Sequence, residues 1–404
     1  MGALKESLLS ALPYMPEHRA LNQRSKNLTL DALLDEGRRA RPLAPGTLDL
    51  ILMGYRYQAV FRKMLEQFSK KPLKPRKIED LLLVVFAALL SRDKTPAHAL
   101  VSEGVDAAKE AFGPHTSSIV NAFLRRVAER RDTIREELEA NPLPLMGEEL
   151  SLRWKGHPAL LDRAARLIAR RPDAGITAFN AAGDFKVRLP EEIRDSNRVL
   201  QAMDPGSWGW MQALMKKIET QKTTPLRILD ACAAPGGKLI ALSTLLTLQG
   251  RQFELFATDV SYPRIERLRE NLQRWNLKEI STELQDWSYE ASPAAAHFPP
   301  FDLILVDLPC SGSGTLASRP DALTTDLSSR IKELIPLQEK ILNSLKTRLA
   351  SDGILAVSVC SVDPEEVSAI THCLGTAPFF SSWKEADMPD FCEGIEGWWV
   401  PARS

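Results

Sequence analysis

From Leu226 onward, short apolar runs alternate with stretches of helical period. The runs Arg227–Ala231, Glu254–Thr258, Ser281–Leu284, Asp302–Val306 and Gly353–Val359 read as strands. The stretches Lys238–Leu248, Pro263–Trp275, Leu327–Leu349 and Pro364–Leu374 read as helices. This alternation predicts an α/β architecture, a doubly wound parallel sheet of the Rossmann type. Leu303-Ile304-Leu305-Val306 has no polar position, as expected of a strand covered on both faces. It stops at Asp307, Pro309 and Cys310. A second run, Gly353 to Val359, stops in the same way at Cys360-Ser361. Ligands of open α/β sheets bind beyond the carboxyl ends of the strands. Asp307, Cys310 and Cys360 therefore fall on the edge where chemistry is expected.

The pattern before residue 145 is different, and all of it reads as helix. Apolar positions from Leu48 to Phe68 recur at steps of three and four: Leu52, Tyr55, Ala59, Phe61, Leu65, Phe68. Ile78–Leu90 is strongly apolar and is expected at the centre of a bundle. Ala97–Phe112 and Thr116–Leu138 follow as helices. Two prolines and five basic residues in Lys70–Lys77 mark a loop and a dense positive patch. Arg125 and Arg126 in the last helix read either as a solvated face or as phosphate contacts. Asn141-Pro142-Leu143-Pro144 marks a boundary. Beyond it the pattern is mixed: a helix over 158–170, short strands over 175–189, a helix over Arg194–Met203, and a turn at Pro205-Gly206-Ser207. The expected division is an all-helical domain at 1–145, a small mixed subdomain at 146–220 and an α/β domain at 221–404.

Composition narrows the function classes. Fifty-two basic residues balance 52 acidic ones in 404, so any attraction to nucleic acid must be local. The five cysteines are odd in number and sparse, as expected of reduced thiols in a cytosolic protein. No Cys or His cluster has the spacing of a zinc site, so no metal is expected. Met1–Glu6 carries no secretory signature, and the longest apolar runs, such as Leu81–Leu90, are far short of a membrane span. A cytoplasmic monomer without a membrane partner is the expectation.

Asp230-Ala231-Cys232-Ala233-Ala234-Pro235-Gly236-Gly237-Lys238 joins the first strand of the α/β half to its first helix. Small residues let the backbone approach a ligand, and the helix start offers free N–H groups. The stretch is neither GxGxxG nor a Walker loop. It suits a nucleoside with an amino-acid tail better than a phosphate. Asp259 ends the next strand, about 20 residues on, where an acid accepts bonds from ribose hydroxyls. Asp286 follows the third strand, placed to meet the base. At the strand ends lie the two thiols. A thiolate adding to C6 of a pyrimidine makes C5 nucleophilic toward a methyl donor, and a second group must then remove the C5 proton and free the enzyme. Cys373 and Cys392 have no comparable context.

These residues resemble the Nol/Nop/Sun RNA cytosine-5 methyltransferases, and within them the bacterial Sun/RsmB type. The likeness rests on Ala231–Lys238, on Asp307-Leu308-Pro309-Cys310-Ser311-Gly312-Ser313-Gly314 with Arg319-Pro320-Asp321, on Leu337–Leu342, and on Val359-Cys360-Ser361-Val362-Asp363-Pro364-Glu365-Glu366. Val120–Arg126 is similar to the V-N-x-x-L-R helix of the NusB-like RNA-binding domain that this subgroup carries. The sequence departs from the family pattern at Ala317, Ser318, Leu323, Val359 and Ile395–Trp398. The resemblance implies a Rossmann-like methyltransferase domain behind a NusB-like domain. It implies S-adenosylmethionine at Cys232, Ala233, Ala234, Pro235, Gly236, Gly237, Lys238, Asp259, Arg264, Asp286 and Asp307. It implies Cys360 as nucleophile, Cys310 as the aid to product release, Asp307 on the cytosine edge, and RNA, foremost 16S ribosomal RNA, as substrate. Two other readings stand beside it: a ribosome-assembly RNA-binding protein with a vestigial catalytic half, and a DNA cytosine methyltransferase.

Overall fold

The computed structural model describes residues 2–21, 43–68, 75–146, 200–219, 224–289, 298–315, 319–320, 327–361 and 363–374 with single gaps at 45 and 204, and isolated pieces at 30, 33–34, 73, 165, 178–180, 185–186 and 395–399. The chain divides into two compact units, one of residues 1–171 with 319–326 and one of residues 172–318 with 327–404.

The first unit is helical throughout its described residues. It contains α1 (Gly2–Ala11), α2 (Pro16–Leu21), α3 (Thr47–Phe68), α4 (Lys77–Ser91), α5 (Ala97–Phe112), α6 (Ser117–Glu129) and α7 (Arg131–Ala140). As its composition predicts, α4 is central: every residue from Leu81 to Leu90 is buried. A helix buried all round must have both ends satisfied by other elements. Near its start, Asp80 accepts the backbone N–H groups of Glu17 and His18, at 3.1 and 2.7 Å, and so caps α2. At its end, Arg135 donates to the Leu89 and Leu90 carbonyls at 3.1 and 3.0 Å, and Arg131 to that of Arg92 at 2.7 Å.

That arrangement corrects the single helix expected over Thr116–Leu138. The chain leaves helical geometry at Arg130 (φ −102°, ψ 7°) and restarts at Arg131, and this break aims Arg131 and Arg135 at the carbonyl end of α4. Arg125 and Arg126 are exposed; the Arg126 guanidinium lies over the Phe68 ring, 5.9 Å from its centre.

The second unit opens with an antiparallel sheet of β1 (Ala178–Asn180), β2 (Phe185–Lys186) and β3 (Leu200–Ala202), in the order β2-β1-β3. Two expectations fail here. The helix expected over Arg194–Met203 is a strand at Leu200–Ala202, paired with β1 in the register Ala178↔Ala202. The turn expected at Pro205-Gly206-Ser207 is the start of α8 (Pro205–Ile218). Proline suits a first helical position, where its missing N–H has no partner in any case. The helix expected over 158–170 lies outside the described residues except for Ala165, which is helical.

The main sheet follows: β4 (Leu226–Asp230), α9 (Gly237–Leu248), β5 (Phe253–Asp259), α10 (Tyr262–Arg274), β6 (Ser281–Leu284), β7 (Phe301–Asp307), α11 (Leu327–Lys346), β8 (Leu349–Val359), α12 (Pro364–Leu374) and β9 (Ile395–Trp399). The order is β6-β5-β4-β7-β8-β9, parallel from β6 to β8. Two of its features were not expected. The helix expected to reach Leu349 ends at Lys346, and Leu349 already belongs to β8. Ile395–Trp399, where the sequence departs from the family pattern, adds an antiparallel edge strand to β8. The Ala317, Ser318 and Leu323 departures lie outside the described residues. The strand order reverses between β4 and β7, so the loops after these two strands part there and leave a crevice.

Candidate active site

The glycine loop is held to the sheet by its own backbone. Ala231 N–H donates to Leu305 O at 2.9 Å and Ala233 N–H to Thr258 O at 2.9 Å. Thr258 Oγ1 donates to Ala231 O at 3.0 Å and accepts from Trp287 Nε1 at 2.8 Å. Gly236 has φ +105°, and a Cβ there would lie 2.7 Å from Leu268 Cδ1. The loop therefore runs close against α10 at a position that only glycine occupies without strain.

Asp259 is 2 % exposed. Its Oδ1 accepts Ser261 N–H at 3.1 Å and its Oδ2 accepts Ala234 N–H at 3.3 Å. Arg264 closes the arrangement, 3.2 Å from Asp259 Oδ2 and 2.6 Å from Ala234 O. Asn271, not singled out in the sequence, holds Pro235 O at 2.8 Å. Asp286 is half-buried and accepts from the N–H and hydroxyl of Ser288 at 2.8 and 2.7 Å. Gln285 N–H donates to Asp259 O at 3.1 Å, so the two acids sit at neighbouring strand ends.

Across the crevice, Lys238 Nζ lies 2.8 Å from Asp307 Oδ2. Asp230, at the end of β4, is 2 % exposed, and its Oδ1 has no hydrogen-bond partner. Burial, reinforced by the Asp307 charge and opposed by Lys238, pushes its carboxyl up to about 8. Burial together with Asp230, Asp259 and Asp307 pushes the Cys232 thiol well above its ordinary range. Cys232 is therefore a small apolar filler of the loop, not a nucleophile.

The two thiols at the strand ends meet: Cys310 Sγ lies 2.9 Å from Cys360 Sγ. Register explains the meeting. β7 and β8 are adjacent and parallel, with Asp307 opposite Ser358, and Leu308 N–H continues the ladder to Ser358 O at 3.0 Å. Cys310 is held in its thiol form first by its hydrogen bond to Cys360, then by burial and by the nearby charges of Asp307 and Glu366. Cys373 lies apart, against Lys346 and Asn343. Cys392 is outside the described residues.

A family model for the 16S rRNA methyltransferase RsmB/F matches residues 217–384, and one for the NusB family matches residues 15–129. Residues 217–384 thus match the RsmB/F methyltransferases, behind a segment that matches the NusB family. It is 29% identical over 330 residues to ribosomal RNA small subunit methyltransferase B of Pasteurella multocida, covering 75% of this chain and 72% of that one. The protein of the same name from Pseudomonas putida is 29% identical over 371 residues, covering 85% and 83%. The crystal structure of PH0851 matches with a TM-score of 0.64 at 17% identity, over 99% of this chain and 98% of that one, a likeness of fold. The chain is an S-adenosylmethionine-dependent rRNA cytosine-5 methyltransferase.

The residues present fit that cofactor. The small-residue loop ends in a left-handed Gly236 whose cradle a Cβ would fill. The helix start behind it offers N–H groups to a carboxylate tail. Asp259 keeps free lone pairs, since a carboxylate offers about four acceptor sites. The acids at the crevice are chemically suited to a sulfonium cation. Among the described residues no helix is long and apolar enough to cross a membrane.

Proposed function

We propose that the chain methylates C5 of a cytosine in 16S ribosomal RNA by covalent catalysis, with Cys360 as nucleophile and Cys310 as the group that frees the product. Bound at Cys232–Lys238, Asp259, Arg264, Asp286 and Asp307, S-adenosylmethionine supplies an electrophilic methyl group. Cys360 gives up its thiol proton as its sulfur adds to C6 of the cytosine, N3 takes up a proton, and the C5–C6 π pair becomes available at C5. Asp307, steadied by Lys238, holds the cytosine edge and supports protonation at N3. Release requires loss of the C5 proton, return of the C6–S pair to Cys360 and loss of the N3 proton to solvent. Cys310 stands beside the departing sulfur: it passes its thiol proton to Cys360 as it takes the proton from C5.

The observation that carries this reading is the 2.9 Å approach of two sulfurs from two different loops. A half-buried thiol pair serving only as packing has no need of hydrogen-bond contact beside an acid. The contact between the two thiols suits a division of roles, one sulfur attacking while its neighbour handles protons. We place the enzyme in the cytoplasm as a monomer, with the exposed Arg125 and Arg126 among its RNA contacts. In the test, wild type, Cys310→Ala and Cys360→Ala are incubated with 16S RNA and S-adenosylmethionine. Cys310→Ala should accumulate an RNA–protein adduct stable to denaturant, and Cys360→Ala none. An adduct with Cys360→Ala alone would exchange the two roles.

A further inference from the structure

Glu366 lies in the first turn of α12 and is 0 % exposed. Its Oε1 accepts Ser311 N–H at 3.1 Å and Gln338 Nε2 at 2.7 Å, and its Oε2 accepts the Ser311 hydroxyl at 2.7 Å. Gln338 Nε2 also donates to Pro309 O at 2.8 Å. The residues on both sides of Cys310 are thus tied to one carboxylate and one amide. The same carboxylate belongs to the helix that follows Cys360. Between them, the Ser361 hydroxyl lies 3.2 Å from that of Ser311 and 3.1 Å from that of Ser313. Gly314 N–H donates to Cys360 O at 3.1 Å. Ser311, Ser313, Gln338 and Ser361 are all buried.

Stability alone does not account for this group. Among the described residues Glu366 forms no ion pair, so its buried site is satisfied only by neutral donors, a choice that packed apolar residues often match or better. The bracket also leaves Gln338 Oε1 buried without a partner, because both of its bonds run through Nε2. An amide flip would place a carbonyl against two acceptors, so the orientation is fixed.

We propose that Glu366 is a positioning residue for the methyl transfer: it clamps the loop that carries Cys310 to the loop that carries Cys360, so that both sulfurs address one base. The inference rests on the two-thiol reading above. Its charge has a second effect, since Glu366 is one of the groups that hold Cys310 as a thiol. Glu366→Gln keeps an acceptor for Ser311 N–H and Gln338, and the Ser311 hydroxyl can turn to accept from the new amide. Glu366→Ala and Gln338→Met open the bracket, the second without touching the carboxylate.

The experiment measures kcat, the KM for 16S RNA, S-adenosylmethionine affinity and melting temperature for the three variants of the full chain, with Cys360→Ala alongside. Glu366→Ala should lose about 100-fold in kcat, the scale of a 1 Å misplacement, with cofactor affinity kept. Gln338→Met should fall in the same direction, and Glu366→Gln should recover at least about tenfold of the loss, a split between kcat and KM that lost folding does not produce. Wild-type kcat in a folded Glu366→Ala or Gln338→Met would overturn the clamp. So would loss of cofactor binding and melting in all three, which would make Glu366 a residue of stability alone. An active Cys360→Ala would instead remove the two-thiol reading, whatever the bracket variants do.

Discussion

Lys238 Nζ sits 2.8 Å from Asp307 Oδ2, and this pair ties the glycine loop after β4 to the strand end that leads to Cys310. The lysine is only 18% exposed and the acid 41%. Such a half-solvated pair adds little to stability. Its importance is electrostatic order within the crevice, because Lys238 is also the cation that faces the buried Asp230. Lys238→Met should leave two acids uncompensated and turn Asp307 away from its present direction. The expected result is a drop in kcat of about tenfold or more, against a melting temperature changed by only a few degrees. Lys238→Arg should restore part of the rate, since it keeps the charge but not the point geometry.

Gly236 is the tightest point of the cofactor loop. Its φ of +105° and the 2.7 Å that would separate a Cβ from Leu268 Cδ1 make alanine there strained in backbone and crowded in packing. The strain term alone is of order 1–3 kcal/mol. Gly236→Ala should weaken S-adenosylmethionine binding by about tenfold or more, read by calorimetric titration, while RNA binding is unchanged. Shortening the neighbour, as Leu268→Ala in the same chain, should not restore affinity, because the positive φ remains. Recovery in the double variant would make crowding, not backbone strain, the governing term.

Arg135 reaches the last carbonyls of α4 with two nitrogens and is 18% exposed on its side chain. Arg135→Ala removes both of these donated bonds from the end of the most buried helix of its unit. Each lost charge-assisted bond costs about 1.5–3 kcal/mol, so with two lost chemical denaturation should give a loss of about 3–6 kcal/mol. Asp93, 2.9 Å from the same guanidinium but 60% exposed, should matter far less, and Asp93→Ala is expected within about 0.5 kcal/mol of wild type.

How much of this was legible beforehand follows from where the signal lies. Strands β4 to β8 announce themselves because a sheet covered on both faces leaves no polar position in Leu303–Val306. The meeting of the two thiols was legible too, since each closes such a run, and parallel neighbours bring their carboxyl ends together. β3 and the start of α8 are not legible in the sequence because a three-residue strand carries almost no pattern, and Pro205-Gly206 signals a turn as strongly as a helix start. The bracket around Glu366 is not legible for another reason. Gln338 shares the buried side of α11 with Ile341, Leu342 and Leu345, and a polar residue at that period was the available clue. Its partners, 28 and 29 residues away in the chain, are fixed only by the fold.

Asp230 makes the stability of this protein depend on pH in a direction opposite to that of most carboxylates. Its folded carboxyl titrates at about 8 against 3.8 when free, chiefly through burial. Between these two values the folded state holds a proton that the unfolded state has released. Stability therefore falls as pH rises across that window, and the loss is complete only above the folded value. At 1.36 kcal/mol per unit of difference, the effect is on the order of a few kcal/mol once relaxation of the buried site is allowed for. Asp230→Asn keeps an acceptor for the Cys232 N–H and removes the titration. Denaturant melts taken from pH 5 to 9 should show wild type losing stability with rising pH relative to Asp230→Asn, and the two drawing together toward pH 4. Parallel curves for the two proteins would mean that Asp230 is already ionised in the folded state, neutralised by Lys238 more strongly than its burial resists.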